Sequence, residues 1–302
     1  MRIVIAGGTG LIGRALAKDL AGAGTEVAVL TRDPQGETRL PKGAQIAGWD
    51  GRTASGWGHL AEGVDALVNL AGENISAGPW TDERKRRILE SRLNAGQAIL
   101  QAIESATNKP RVVIQASAVG YYGAHGDEDV TEESPPGEDF LARACVKWEA
   151  STAPVEAMGV RHVITRTGVV LSRRGGALPR LVMPARLFAG GPLGSGRQWF
   201  PWIHIADEVS AIRFLMDRDD ARGPFNLTAP QTLTNRRFSK VLGGVIRRPS
   251  LLRTPACALR LLFGEMALVL LEGQRAVPKR LTDLGFRFRF PEASSALHDL
   301  LD

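Results

Sequence analysis

The sequence predicts an α/β protein built on a doubly wound parallel sheet, with a smaller C-terminal domain. Three observations carry this. Apolar runs of strand length alternate with helical patterns through the first half of the 302 residues. The runs have few polar interruptions, as strands covered on both faces do. A glycine-rich turn, AGGTGLIG at residues 6–13, joins the first run to the first helical pattern.

The expected strands are Ile3–Ala6, Val27–Leu30, a weaker one near Gln45–Ala47, Ala66–Leu70, Val112–Ala116 and His162–Thr165. Leu11, Ile12, Ala15, Leu16 and Leu20 repeat at helical spacing and give the first helix one apolar face. A long helix is expected from Asp82 to Ala106. Thr81 suits its N-cap, and Asp82 and Glu83 suit its positive end. Pro110 stops it before the next strand. Gly and Pro crowd residues 175–201. A helix at Ala206–Met216 and a strand at Pro224–Leu227 then complete the sheet domain, expected at 1–230 with residues 172–202 on its substrate side. Residues 231–302 form the small domain, where the alternating run Phe286–Phe290 predicts one half-buried strand.

Composition excludes several classes. Hydrophobic content of 44% and charged content of 23% are ordinary for a soluble globular chain, not for disorder, collagen or coiled coil. At this length folding buries about 75% of the unfolded chain's surface, so no staple is needed. Two cysteines, Cys145 and Cys257, make neither a disulfide framework nor a metal cluster. No metal site is expected. The strand-like RIVIA directly after Met1 leaves no signal peptide, so a reduced, cytoplasmic setting is expected. The net charge is +6, and only seven of the 38 basic residues are lysine. The densest basic cluster, Arg84–Arg87, is flanked by Asp82, Glu83 and Glu90, so no nucleic-acid partner is expected. The most apolar stretch, Ala256–Leu271, is short and broken by Arg260 and Glu265. It reads as a buried or interface helix rather than a span, and no membrane partner is expected.

In the turn, Gly7, Gly10 and Gly13 give GxxGxxG, and Gly8, Gly10 and Gly13 also satisfy GxGxxG. One such glycine permits the tight turn, one lets the backbone approach a pyrophosphate, and one lets helix and strand pack closely. Amides at the helix start then meet the anion. The second strand ends Leu30-Thr31-Arg32-Asp33. Arg32 suits a 2′-phosphate, because its planar fork contacts two oxygens, and this points to NADP(H). The alternative makes Asp33 the ribose acid of an NAD(H) site, with Arg32 a solvated charge.

Further motifs are NLAGENI (Asn69–Ile75), Ser91-Arg92, QASAVGYYG (Gln115–Gly123), KWEA (Lys147–Ala150) and RTGVVL (Arg166–Leu171). GSGRQWFPWIHIADEV (Gly194–Val209), GPFNLTAP (Gly223–Pro230) and LLEGQRAVPKRLTDLGF (Leu270–Phe286) follow. Together with the glycine turn they resemble an extended short-chain dehydrogenase/reductase, more narrowly its "epimerase family protein" branch, over essentially the whole chain. The resemblance implies a Rossmann domain that binds NADP(H). It implies the diphosphate on Gly7, Thr9, Gly10, Leu11, Ile12 and Gly13, and the 2′-phosphate on Thr31 and Arg32. Leu70, Ala71, Gly72 and Glu73 are implied beside the adenine ribose, with Arg92 and Val170 as further cofactor contacts.

Active members of that superfamily pair a Ser or Thr with Tyr-x-x-x-Lys, whose lysine lowers the tyrosine pKa. This chain has no such pair: its two tyrosines are Tyr121 and Tyr122, and four residues on stand His125 and Gly126. With Glu149 fixing the register, the tyrosine place is Leu141 and the lysine place Cys145. Lys147 falls on another face of that helix. Ser117 keeps the serine place at the end of the fifth strand, where ligands bind in open α/β sheets. Tyr121 or Tyr122 either replaces the missing proton donor or packs as an aromatic. Trp199–His204 either walls the substrate cleft or packs a domain junction. The catalytic candidates are therefore Ser117, Tyr121 and Tyr122. The expectation is an NADP(H)-dependent, epimerase-like oxidoreductase for a small or nucleotide-linked substrate, a monomer or homodimer. The alternative is an NADP(H)-binding sensor without turnover.

Overall fold

Strands form where β-branched and apolar residues run unbroken, and helices where apolar residues recur at 3.6 spacing. In the computed structural model, which describes residues 1–36 and 40–302, the first half alternates as expected. It runs β1 (Arg2–Ala6), α1 (Leu11–Gly22), β2 (Glu26–Thr31), β3 (Gln45–Gly48), β4 (Ala66–Asn69), α2 (Asp82–Ser105) and β5 (Val112–Ala118). Then come β6 (Asp129–Val130), α3 (Phe140–Ala150), β7 (Arg161–Thr167), β8 (Val169–Leu171), α4 (Leu178–Arg186), β9 (Trp202–His204), α5 (Ile205–Asp217) and β10 (Gly223–Leu227). The chain ends α6 (Asn235–Val245), α7 (Ala256–Phe263), α8 (Leu268–Leu271), β11 (Arg275–Ala276), α9 (Lys279–Asp283) and α10 (Ala293–Leu301).

Seven strands pair in the order β10-β7-β5-β4-β1-β2-β3, all parallel. The winding reverses between β1 and β4, which opens a crevice at their carboxyl ends. Alternate residues of β1 serve opposite faces. Ile3 and Ile5 join α1 (Leu16, Leu20) and α5 (Val209, Ile212, Leu215) in one core. Val4 and Ala6 join α2 (Ala95, Ile99, Ile103) in the other. Thr81 caps α2 by accepting from the Arg84 amide at 3.2 Å.

A third core joins Leu171, Leu178 and Trp202 to Phe238, Leu242, Leu297 and Leu300. Residues 171–202 therefore pack with the C-terminal helices, while Leu281 returns to the sheet core.

Two expectations need correction. Phe286–Phe290 is not a strand. Its burial does alternate, but the Arg289 and Phe290 amides donate to the Asp207 carboxylate at 2.8 and 2.9 Å instead of to a neighbouring strand. Ala256–Leu271, expected as one buried or interface helix, is not a single helix. It breaks at Gly264, whose φ of +58° suits glycine, and Leu261 and Leu262 on α7 are exposed.

Candidate functional site

The three glycines divide their roles visibly. Gly7 turns out of β1 at φ +78°, and a Cβ there would lie 2.6 Å from the Leu70 carbonyl oxygen, so the turn passes hard against the end of β4. A Cβ on Gly13 would collide with the Gly7 and Gly8 backbone, which lets α1 pack on the turn. A Cβ on Gly10 would meet only Gly7 O, at 3.2 Å, so its other side faces open space. Gly10 caps α1 without a side chain, which leaves first-turn amides open to an anion.

A cleft of about 250 Å³ lies there, lined by Gly7, Gly10, Leu11, Ile12, Gly13, Leu70 and Val170. Thr9 lies in the same turn. Val169, Gly176 and Ala177 also line the cleft and were not among the expected contacts. Their signal was the Gly175-Gly176 pair after an apolar run: a Cβ on Gly176 would lie 3.1 Å from Leu11.

Pairing of Ala6 with Leu30 sets the end of β2 beside the glycine turn. There Thr31 Oγ1 accepts from the Asp33 amide at 3.2 Å, and Asp33 Oδ1 accepts from the Gly36 amide at 2.8 Å. Asp33 is thus engaged in its own turn. Arg32 is exposed and makes no ion pair among the described residues. On the other side of β1, the Ala71 amide donates to Asn69 Oδ1 at 3.2 Å. The loop that follows is pinned by α2. Glu73 Oε1 holds Arg84 Nη1 at 2.6 Å and Arg87 Nη2 at 2.8 Å, and its amide donates to Ser91 Oγ at 2.9 Å. Arg92 Nη1 donates to Glu73 O and Ile88 O at 3.1 and 2.8 Å, with the guanidinium 4.7 Å from the Trp148 ring centre. It lies against Gly72, where a Cβ would stand 3.0 Å from Arg92 Cζ. Burial pulls the Arg92 pKa down, which marks a desolvated cation beside the loop.

The catalytic candidates sit in and beside a buried polar chain. Ser117 Oγ, at the end of β5, donates to Glu149 Oε1 at 2.6 Å. Glu149, on α3, accepts from Arg166 Nε and Nη2, both at 2.9 Å. Arg166 Nη1 donates to the Tyr122 hydroxyl at 3.0 Å, which donates to Asn226 Oδ1 at 2.7 Å. Tyr122 is 1% exposed, and burial pushes its pKa to about 12. Its hydroxyl is committed on both sides, so it belongs to the core rather than to proton transfer. Tyr121 is half-buried, with Arg166 Cζ 3.4 Å from its ring centre. Cys145, at the lysine place, is buried, and burial together with the nearby Glu149 charge pushes its thiol to about 11, so it supplies neither charge nor nucleophile. Glu149 had served only to fix the register; its pairing with Ser117 and Arg166 carried no spacing signal.

The aromatic run is a packed junction. Trp202 Nε1 donates to Gln231 O at 3.1 Å, and Phe200 lies 4.4 Å from Phe238. His204 stacks on Phe290 at 3.9 Å and accepts from the Ala206 amide at 3.0 Å.

Comparison with known proteins agrees with this architecture. Residues 3–228 match the model of the NAD dependent epimerase/dehydratase family, and residues 254–300 match a domain of unknown function, DUF1731. The chain is 37% identical over 309 residues to "Epimerase family protein SDR39U1" of Mus musculus, covering 100% of both. It is 38% identical over 302 residues to "Epimerase family protein YfhF" of Bacillus subtilis, covering 100% of this chain and 98% of that one. A crystal structure of human epimerase family protein SDR39U1 (isoform 2) with NADPH superposes at a TM-score of 0.89, with 35% identity over 99% of each chain. With its sheet order, its glycine turn and this match, the chain belongs to the NAD dependent epimerase/dehydratase family.

Proposed function

We propose that the chain binds NADP(H) at the β1–β4 switch point and acts as an epimerase-like oxidoreductase on a small polar or nucleotide-linked substrate. The cradle suits a dinucleotide: Gly7 and Gly13, where a Cβ would strike neighbouring backbone, let the turn pass close to β4 and to α1, and the open face of Gly10 and the α1 amides suits a diphosphate. Arg32 suits the 2′-phosphate, since Asp33 is engaged with Gly36. The human relative named above is described with NADPH. When bound, the cofactor supplies or accepts hydride.

The observation that carries the oxidoreductase reading is the 2.6 Å bond from Ser117 to Glu149 at the carboxyl edge of the sheet. With its proton on Glu149, Ser117 Oγ keeps lone pairs to accept from a substrate hydroxyl. As that hydroxyl gives its proton to Ser117 Oγ, Ser117 gives its own to Glu149. The reverse transfer protonates a carbonyl oxygen. This relay takes the place of the absent Tyr-x-x-x-Lys pair, with Tyr121 as the second candidate donor.

Two measurements test this. In calorimetric titration, Arg32→Ala weakens NADPH roughly 10- to 100-fold and leaves NADH nearly unchanged; equal losses hand the ribose to Asp33. In an NADPH-oxidation screen of aldehydes, ketones and nucleotide sugars, Ser117→Ala lowers kcat by about 100-fold or more with KM for NADPH unchanged, and Ser117→Thr restores part. Wild-type turnover by Ser117→Ala removes the relay. Leu141 and Cys145 at the Tyr and Lys places favour a second reading, an NADP(H) sensor. Arg32-dependent NADPH binding with no turnover across the screen selects it.

A further inference from the structure

The seven most exposed large apolar side chains among the described residues lie in one part of the chain, each at least 58% exposed. Met183, Leu187 and Phe188 close α4. Leu251 and Leu252 precede α7, and Leu261 and Leu262 sit on it.

These segments are neighbours. The Leu252 amide donates to Gly190 O at 3.1 Å, the Thr254 amide to Pro192 O at 3.0 Å, and the Gly194 amide to Thr254 O at 2.9 Å. A Cβ on Gly194 would lie 3.9 Å from Ala256, the first residue of α7. The inner face of α7 packs through Leu259, which is buried, and through Phe263 against Trp80 and Ile88. Leu261 and Leu262 therefore point away from the body.

The charge carried by these segments has one sign, and the first acid after α7, Glu265, is paired with Lys85. Residues 172–206 and 221–264 hold 13 of the 38 Lys and Arg and none of the 32 Asp and Glu, so the remaining chain is acidic on balance. Arg186, Arg247, Arg248, Arg253 and Arg260 are exposed, and none makes an ion pair among the described residues. Arg248 lies over the Phe188 ring at 4.8 Å, an apolar ring under a cation.

We propose that this face docks on an anionic phospholipid surface, with the leucines, Met183 and Phe188 in the interface and the arginines at the phosphates. Apolar side chains set among cations are how interfacial segments bind acidic bilayers. Long arginines keep the charge at headgroup level while their stems stay with the apolar groups. A second copy of this chain is disfavoured as occupant, because a two-fold contact sets the same arginines against each other. No helix among the described residues is long and apolar enough to cross a membrane. The expectation of no membrane partner rested on that kind of argument, which does not bear on attachment to a surface. α4 follows Ala177 of the cofactor cleft and ends in this patch, so one helix links the cleft to the proposed docking face.

The test is co-sedimentation of the full chain with large vesicles of phosphatidylcholine, alone or with about 30% phosphatidylglycerol, at about 0.1 M salt. Pelleting with the acidic vesicles is expected, at least ~10-fold above pure phosphatidylcholine. The double variant Leu261→Ser/Leu262→Ser and the separate variant Phe188→Ser each reduce it. Arg247→Gln/Arg248→Gln also reduces it and flattens its salt dependence. All replace exposed side chains, and unchanged melting confirms that each variant folds. No pelleting, equal pelleting on both vesicle types, or full pelleting by both leucine and phenylalanine variants overturns the proposal. So does a dimer in sedimentation equilibrium that Leu261→Ser/Leu262→Ser dissolves, or equal competition by DNA or polyglutamate with binding unaffected by the leucine variant.

Discussion

Arg166→Met is expected to cost about 3–5 kcal/mol of unfolding free energy. The guanidinium is 4% exposed and makes two 2.9 Å bonds to Glu149, one to the Tyr122 hydroxyl and one of 3.3 Å to Glu132 O. Burial works against its charge, but the bonds to Glu149 outweigh that and raise its pKa. Methionine fills similar volume and leaves Glu149 a buried carboxylate with Ser117 as its remaining hydrogen-bond donor. The cost is the stranded charge more than the lost bond. Adding Glu149→Leu should therefore recover most of the loss, with a large coupling between the two sites. Urea unfolding of the single and double variants measures this. A loss below about 1 kcal/mol for Arg166→Met would mean that water already screens the pair. The double variant also separates structure from chemistry: it folds but has no proton acceptor behind Ser117, so turnover is lost while NADPH binding persists.

This network marks where sequence stops being informative. Backbone features were legible because they act locally. The glycine turn, the strand runs and the Thr81 cap each follow from neighbouring residues. Arg32 is favoured over Asp33 by its chemistry, and the Asp33-Pro34-Gln35-Gly36 turn, in which Asp33 accepts from the Gly36 amide, adds a second reason that its turn-type residues already carry. Glu149 and Arg166 are 17 residues apart, on a helix and a strand, and meet only once the sheet closes. Phe286–Phe290 misled for a related reason. Period-two burial reports an extended segment, not what its amides bond, and here Asp207 takes the place of a strand. The Ala256–Leu271 hydropathy likewise could not say which leucines would be left uncovered.

Glu208→Gln is expected to stabilise the protein increasingly as pH rises. Glu208 lies in the first turn of α5, 1% exposed. Its Oε1 accepts from Thr167 Oγ1 at 2.8 Å, while Oε2 is buried without a hydrogen-bond partner among the described residues. An acid at a helix start is normally favoured by the dipole. Here burial outweighs it and pushes the carboxyl from its ordinary 4.5 to about 8. The sign follows from which state ionises first. Below about pH 4.5 folded and unfolded chains are both protonated, and the group is neutral to stability. Between 4.5 and about 8 the unfolded chain sheds its proton and the folded chain keeps it, so stability falls as pH rises. Above about 8 both are ionised and the loss is complete. Glutamine keeps the acceptor for Thr167 and removes the titration. The variant and wild type should be close at pH 5 and differ by on the order of 4 kcal/mol at pH 8. His162, which burial holds near 4, adds an opposite slope, raising stability from about pH 4 to 6.5, but it does so in both proteins. The difference between the two curves therefore isolates Glu208. Urea midpoints across this range decide it: a difference that does not grow with pH would mean that water or a counter-charge reaches Glu208 in the folded protein.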